Sequence, residues 1–423
     1  RFLMLALSIP FVLTLAVTPL AAQAAESKTG AHDHKEKCKD ACEGKCPSYC
    51  FKFSGFFKGD LIYDDARVTA GNYAILVPNK ARNDVMNITA RETRLGLNFF
   101  WKENDIRTEA KLEFDFYGLG AQPASYNSME NKAAPMLRHA FLKVTKGRFS
   151  ILAGQTSDVI SPLVPKTVNY TVCWGQGNIG YRRPQFRVSV WVPLGENAKV
   201  RAAVAVARSL GSDLDGDGID DGSDAACPSV QGRLGLDAAF GESGSAAIGF
   251  SGHYGREEYL ASWGFIEDTE SWSFNVDLNF SPCNRVDLSG EFFVGKNLGT
   301  YFGGVMQSVN PHTPREISAM GGWGMVSVIP KDRLTLNLGY SWDDPDEDDF
   351  ALPIGIMDHF INMNSAIFGN WMYSVTSNVT AMLEVSYLKT TYIYMSSVLG
   401  RFVHSEKDYD AMRVQFAIKA AIK

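Results

Sequence analysis

Between Arg91 and Gly120 the chain keeps a two-residue alternation that few folds accept. From Arg107 to Phe116 every second residue is ionisable: Arg107, Glu109, Lys111, Glu113 and Asp115. The residues between them are Thr108, Ala110, Leu112, Phe114 and Phe116. Successive side chains of a strand point to opposite faces, so one face here is charged and the other is largely apolar and ends in aromatics. A soluble sandwich sets an apolar face on its core and mixed polar residues in water. A wall between lipid and a wet lumen has this charged-in, aromatic-out pattern instead.

The pattern recurs to the end of the chain. Arg183, Gln185, Arg187 and Ser189 alternate with Phe186, Val188, Val190 and Val192. Lys199 and Arg201 oppose Val200, Val204 and Val206. Trp272, Phe274, Val276, Leu278 and Phe280 alternate with Ser273, Asn275, Asp277 and Asn279, and Asp287, Ser289 and Glu291 oppose Val286, Leu288 and Phe292. The last strand sets Met412, Val414, Phe416 and Ile418 against Arg413, Gln415 and Lys419. About sixteen such segments follow one another, joined alternately by short turns and long loops, as in bacterial barrels. No stretch between them has the helical period that a parallel α/β fold would need. The expected fold is therefore all-β: a transmembrane antiparallel β-barrel of about sixteen strands over residues 51–423, with short periplasmic turns and long extracellular loops.

Only the N-terminus carries a continuous apolar run, Phe2–Ala22, followed by Ala22-Gln23-Ala24. It reads as a secretory signal peptide over residues 1–24, cut after Ala24 or Ala25; an uncleaved anchor is the alternative. An exported chain with a lipid-like strand face points to the outer membrane of a Gram-negative cell, because helices and closed barrels are the ways to cross a bilayer. The formal net charge of -6 offers no basic face for nucleic acid.

Residues 25–50 form a polar periplasmic segment with Cys38, Cys42, Cys46 and Cys50 four residues apart and His32 and His34 upstream. Disulfides within or between subunits suit an oxidising compartment; metal binding and a free-thiol tail are the alternatives. Cys173 and Cys227 fall in two long connections on one side of the membrane, which makes a disulfide between them a candidate.

The most specific local motif lies within residues 209–230. Asp213, Asp215, Asp217, Gly218, Asp221 and Asp224 occupy positions 1, 3, 5, 6, 9 and 12 of a calcium loop, with the carbonyl of Ile219 at position 7. Alternating carboxylates supply the hard oxygens that Ca²⁺ takes, and Gly218 allows the sharp turn. Position 12 is Asp rather than Glu, and the string, with Cys227-Pro228 after it, resembles thrombospondin type 3 repeats. An acidic, solvated loop tip is the plain alternative.

If the charged faces line a lumen, the inward basic residues are Arg94, Arg107, Lys111, Arg138, Arg183, Arg187, Lys199 and Arg201. The inward acids are Glu92, Glu109, Glu113, Asp115, Asp277, Asp287, Glu291 and Glu384. Opposed charges set a field across a narrow pore and favour anions near Arg94, Arg138, Arg183 and Arg187; the alternative is that they pair and merely wet the wall. None of the seven His lies in a G-x-S-x-G or H-E-x-x-H setting, so catalysis is not expected. A calcium-dependent surface adhesin is the rival to a passive channel.

Several segments together resemble the DcaP-like trimeric porins of Gram-negative bacteria. They are Arg94-Leu95-Gly96, Glu113-Phe114-Asp115-Phe116, Leu137-Arg138-His139-Ala140-Phe141, Gly154-Gln155-Thr156, Arg183-Pro184-Gln185-Phe186-Arg187, Ser289-Gly290-Glu291-Phe292-Phe293, Val294-Gly295-Lys296-Asn297-Leu298 and the stretch from Asn370-Trp371 to Leu383-Glu384. The resemblance covers about residues 51–423. It implies a homotrimer in outer-membrane lipid, an inward loop after the Gly-Gln-Thr strand, and diffusion of small anionic solutes such as dicarboxylates.

Overall fold

The computed structural model describes residues 49–69, 73–80, 83–118, 133–211, 218–260, 266–313, 315–353, 355–398 and 401–422. The proposed signal peptide and Cys38, Cys42 and Cys46 lie outside the described residues. Seventeen strands follow in order: β1 (Tyr49–Asp64), β2 (Val85–Thr89), β3 (Arg94–Glu103), β4 (Ile106–Gly118), β5 (Ala134–Lys146), β6 (Phe149–Ser157), β7 (Arg182–Leu194), β8 (Ala198–Ala207), β9 (Ser229–Phe240), β10 (Gly244–Leu260), β11 (Ile266–Cys283), β12 (Val286–Lys296), β13 (Ser318–Lys331), β14 (Leu334–Pro345), β15 (Met357–Ser374), β16 (Val379–Val398) and β17 (Arg401–Ile422). β1 starts at Tyr49, so Tyr49 and Cys50 belong to the wall and not to the cysteine-rich segment.

Each strand pairs antiparallel with its neighbours, and β1 closes on β17 from Gly55↔Ile422 to Asp64↔Arg413. β2 and β3 share one place in the ring: β2 pairs with Asp60–Asp64 of β1, and β3 pairs with Tyr49–Phe56. The wall therefore has sixteen positions and no open edge. At the break between β2 and β3, Thr93 Oγ1 accepts from the backbone N–H of Lys58 at 3.2 Å, replacing a ladder bond. Gly55, at φ +125°, sits beside the resumed strand; a Cβ there would lie 2.1 Å from the Arg94 carbonyl oxygen, so only glycine fits.

The outer face carries Leu61, Ile88, Leu112, Phe186, Phe274, Leu338, Val385 and Phe416, all exposed in the isolated chain. Ile88 is 68% and Phe186 70% exposed, values that a water-facing sheet would not hold over a whole ring. The inner face holds Asp60, Glu113, Arg187, Asn275, Asp277, Ser341, Glu384 and Gln415, all buried. The expected alternation is thus present, with lipid-type residues outside.

Two departures re-aim the inner face. In β5 the register against β4 shifts between Glu113↔His139 and Phe114↔Leu137, leaving Arg138 as an extra residue. The bulge turns both Arg138 and His139 inward, where strict alternation would have sent one of them to lipid. The second departure is that four connections fold into the barrel. Ala66, Val68, Ala74 and Val77 pack on Ala366, Leu388 and Ala411 of the inner wall. Ile160 and Ile179 pack with Leu298 and Tyr301, and Phe350 and Leu352 with Phe360 and Ile393.

Cys173 is one of the inward residues. It is buried among Trp323, Met325 and Phe368, while Cys227 lies in the connection before β9, and both are free thiols. The proposed disulfide between them does not form, because the chain carries Cys173 into the barrel rather than out over its mouth. Burial pushes the Cys173 thiol up to about 12, so it stays protonated and unreactive at pH 8. We expect maleimide at pH 8 to label exposed Cys283 within minutes and Cys173 only after unfolding, as read by peptide mass spectrometry. Equal labelling of both in the folded protein would contradict the inward position.

Candidate functional site

The connection from Asp158 to Tyr181 leaves the wall after β6 and passes round its inner surface in strand order. The N–H of Val159 donates to Gln231 of β9 at 2.8 Å, and that of Leu163 to Glu291 of β12 at 2.7 Å. Lys166 Nζ reaches Asp287 of β12 at 3.1 Å and Ser327 of β13 at 3.0 Å. The Lys166 carbonyl accepts from Asn370 of β15 at 2.8 Å. Glu384 of β16 then accepts from the N–H of Val168 at 2.6 Å, from the N–H of Asn169 at 3.3 Å and from Asn169 Nδ2 at 2.9 Å. Lys58 of β1 donates to the Val168 carbonyl at 2.6 Å. Tyr170 Oη donates to Asp115 of β4 at 3.0 Å. The segment is a hoop pinned to strands from β9 round to β4.

Sequence reasoning placed Asp287, Glu291 and Glu384 on the inner face but assigned them to a solute-facing wall. In the structure their oxygens hold the hoop. Glu384 also accepts from Asn370 Nδ2 at 2.9 Å, and Glu291 from Trp323 Nε1 at 3.3 Å. A carboxylate taking several N–H donors is well satisfied even where water is scarce. Asp158, Gln231, Lys166 and Asn364, which pin the same segment, were not foreseen. A signal for them was present: Val159, Ile160, Leu163 and Val168 make the segment too apolar for a loop in water.

Arg183 and Arg187 also serve the inward segments. Both lie on the inner face but are 0% and 2% exposed. Arg183 Nε lies 3.2 Å from Asp158, its Nη2 donates to the Thr300 carbonyl at 2.9 Å, and its guanidinium stacks 3.5 Å above the Tyr301 ring. Arg187 donates to Gln185 Oε1 at 2.9 Å and to the Ser157 carbonyl. They brace the inward segments and leave no free charge facing a solute.

Arg138 pairs with Asp115 at 2.5 Å and Glu113 at 3.2 Å, and donates to Tyr170 Oη at 3.1 Å. Burial pushes the Tyr170 phenol up to about 12, which keeps it a donor to Asp115. The less covered charges lie nearer the short-turn end of the ring. Arg94 and Lys111 approach Glu113 at 3.7 and 2.8 Å, and Lys143 approaches Glu109 at 3.7 Å. Strand register sets Lys419 beside Lys58, Lys52 beside Asn98, and Lys102 beside Arg107, all on the inner face. Glu92 pairs with Lys58 at the β2/β3 break. Across the barrel, Lys199 and Arg201 share Asp237, and Arg233 pairs with Asp277 at 2.5 Å.

Of the calcium motif, Asp213, Asp215 and Asp217 lie outside the described residues. Ile219 is exposed, Asp221 is fully buried and Asp224 is half-buried, the last two in the one-turn helix α1 (Asp221–Asp224). Asp220, not a motif position, caps that turn and pairs with Arg208. Among the described residues no three His, Cys, Asp or Glu side chains converge as metal ligands.

No family model and no curated protein matches the chain. Solved structures do. The outer membrane channel DcaP of Acinetobacter baumannii aligns over 89% of this chain and 98% of its own, with TM-score 0.66 and 19% identity. An anion-selective porin from Comamonas acidovorans aligns over 88% and 100%, with TM-score 0.53 and 13% identity. The trimer form of OmpT from Vibrio cholerae aligns over 89% and 100%, with TM-score 0.52 and 12% identity.

Glu384→Ala removes the acceptor for three donors of the hoop. We expect amide exchange at Val168 and Asn169 to rise about 100-fold, which is about 2.7 kcal/mol and within the range for hydrogen bonds to a charged group. Unchanged exchange at both amides would refute the pinning role. The sixteen-position closed sheet, its charged inner face and its alignment with these structures give this chain the fold of the outer-membrane porins.

Proposed function

We propose that the chain is an outer-membrane porin through which small hydrophilic anions, dicarboxylates among them, diffuse passively, and that it works as a homotrimer in outer-membrane lipid. One observation carries the anion preference. The far-wall carboxylates Asp287, Glu291 and Glu384 are taken up by the hoop. The sector from β17 to β5 sets Lys52, Lys58, Arg94, Lys102, Arg107, Lys111, Arg138, Lys143, Arg413 and Lys419 on its inner face against Asp60, Asp64, Glu92, Glu109, Glu113 and Asp115, a basic excess. Low-dielectric walls focus such an excess into a field that raises the local concentration of anions. The fold neighbour from Comamonas acidovorans is an anion-selective porin, which agrees with the same reading.

Reversal potentials in planar bilayers test it. The wild-type channel is expected to pass chloride over potassium, and Lys102→Glu/Arg107→Glu/Lys419→Glu to lower the ratio about threefold to tenfold. The wild-type ratio should rise as salt is lowered, because the Debye length grows and the basic sector is screened less. A wild-type ratio at or below one, or a variant ratio equal to wild type, would overturn the assignment.

The acidic connection supports a second reading, calcium binding at residues 213–224. Its support is the spacing of Asp213, Asp215, Asp217, Asp221 and Asp224 around Gly218. The carbonyl of Ile219 would complete the set, and calcium would stiffen the connection over the mouth. Isothermal titration with calcium should show one site of about 10⁻⁴–10⁻³ M, the range of extracellular modules, and Asp215→Asn/Asp217→Asn should abolish it. Heat unchanged by the double substitution would exclude the loop.

A further inference from the structure

Where the hoop returns to the wall, the described residues hold a guanidinium with an idle edge. Arg182, the first residue of β7, is 6% exposed. Its Nε and Nη2 are buried and have no hydrogen-bond partner. Its guanidinium lies 4.2 Å over the Tyr181 ring and 5.7 Å from the Trp174 ring. Trp174 in turn stacks on Phe302 of the connection between β12 and β13 at 4.8 Å, and Tyr181 meets Phe302 edge-on at 5.0 Å.

The two idle atoms are not a random pair. Nε–H and Nη2–H lie on one side of the planar guanidinium and point the same way, which is the fork that takes both oxygens of a carboxylate. Cation–π contact with Tyr181 and Trp174 offsets part of the cost of burying the charge, but it uses the ring faces and leaves the N–H donors unused. A buried, unpaired charge is expensive, and a bidentate anion removes that expense. The neighbouring backbone is also held off its preferred basins: Val172, a β-branched residue, has φ +46° and Cys173 has φ +63°. That strain lies immediately before Trp174.

We propose that Arg182 is a docking point for the carboxylate of a small organic acid, reached when the Trp174–Phe302 stack moves aside. The site rests on the anion-channel reading above and refines it: the basic sector concentrates anions by charge alone, and Arg182 selects planar carboxylates by shape. A neutral diamide of the same length gains nothing from the fork.

Succinate titrated into the full-length, detergent-folded barrel, read by tryptophan emission, tests this without any ion flow. A saturable change is expected that succinamide does not cause and that Trp174→Phe removes. Arg182→Lys, which keeps the charge and loses the fork, should weaken half-saturation at least tenfold, and Arg182→Gln should abolish it. A wild-type titration with no Trp174-dependent change, or Arg182→Lys titrating like wild type, overturns the site. Because reversal potentials are measured separately, a channel lacking anion preference would defeat the porin selectivity while leaving this result standing, and the converse holds too.

Discussion

The structure depends first on one requirement: a backbone in hydrocarbon must satisfy all its polar groups within itself. Closing β1 on β17 meets it by leaving no edge. Closure then dictates everything lateral. Each strand has one lipid face and one interior face, so apolar and polar residues must alternate for the length of every wall segment. The exceptions are local and are compensated locally: Thr93 bonds the Lys58 amide where β2 breaks from β3, and a bulge at Arg138 adds an inward side chain.

A barrel of this girth leaves its interior to be furnished by loops, and here carboxylates do the fastening. Glu291 and Glu384 face inward because their strands alternate, and the hoop supplies the N–H donors that such groups demand. This pairing has an electrostatic consequence. An inner wall that looks evenly charged when residues are counted becomes uneven once one side's acids are occupied. The functional reading follows from how the charges divide between the two sides rather than from their total.

The wall was largely legible from residues. The alternation in Arg107–Phe116 and Arg183–Val192 placed the right side chains inside, because a two-residue period has only two outcomes and one of them puts Phe and Val in water. The roles of those side chains were not legible. Arg183 and Arg187 have the same strand position as a solute-facing arginine would; only the approach of Asp158, Tyr301 and Ser157, from distant parts of the chain, shows that they are braces. The Cys173–Cys227 pairing failed for the same reason. Local pattern tells which side of the membrane a connection starts from, and not which inner-wall residues each of its side chains will meet.

By itself, then, the sequence determined the sheet, its two faces and its closure into a barrel, since these follow from local periodicity and from the cost of unpaired backbone in lipid. The family resemblance pointed to an inward loop after Gly154-Gln155-Thr156, but the tertiary structure alone decided its partners, the sequestration of the far-wall acids and the idle edge of Arg182. Those depend on contacts between residues far apart in the chain, such as Val168 with Glu384 and Trp174 with Phe302, and no local pattern encodes which distant partner a charged side chain will meet.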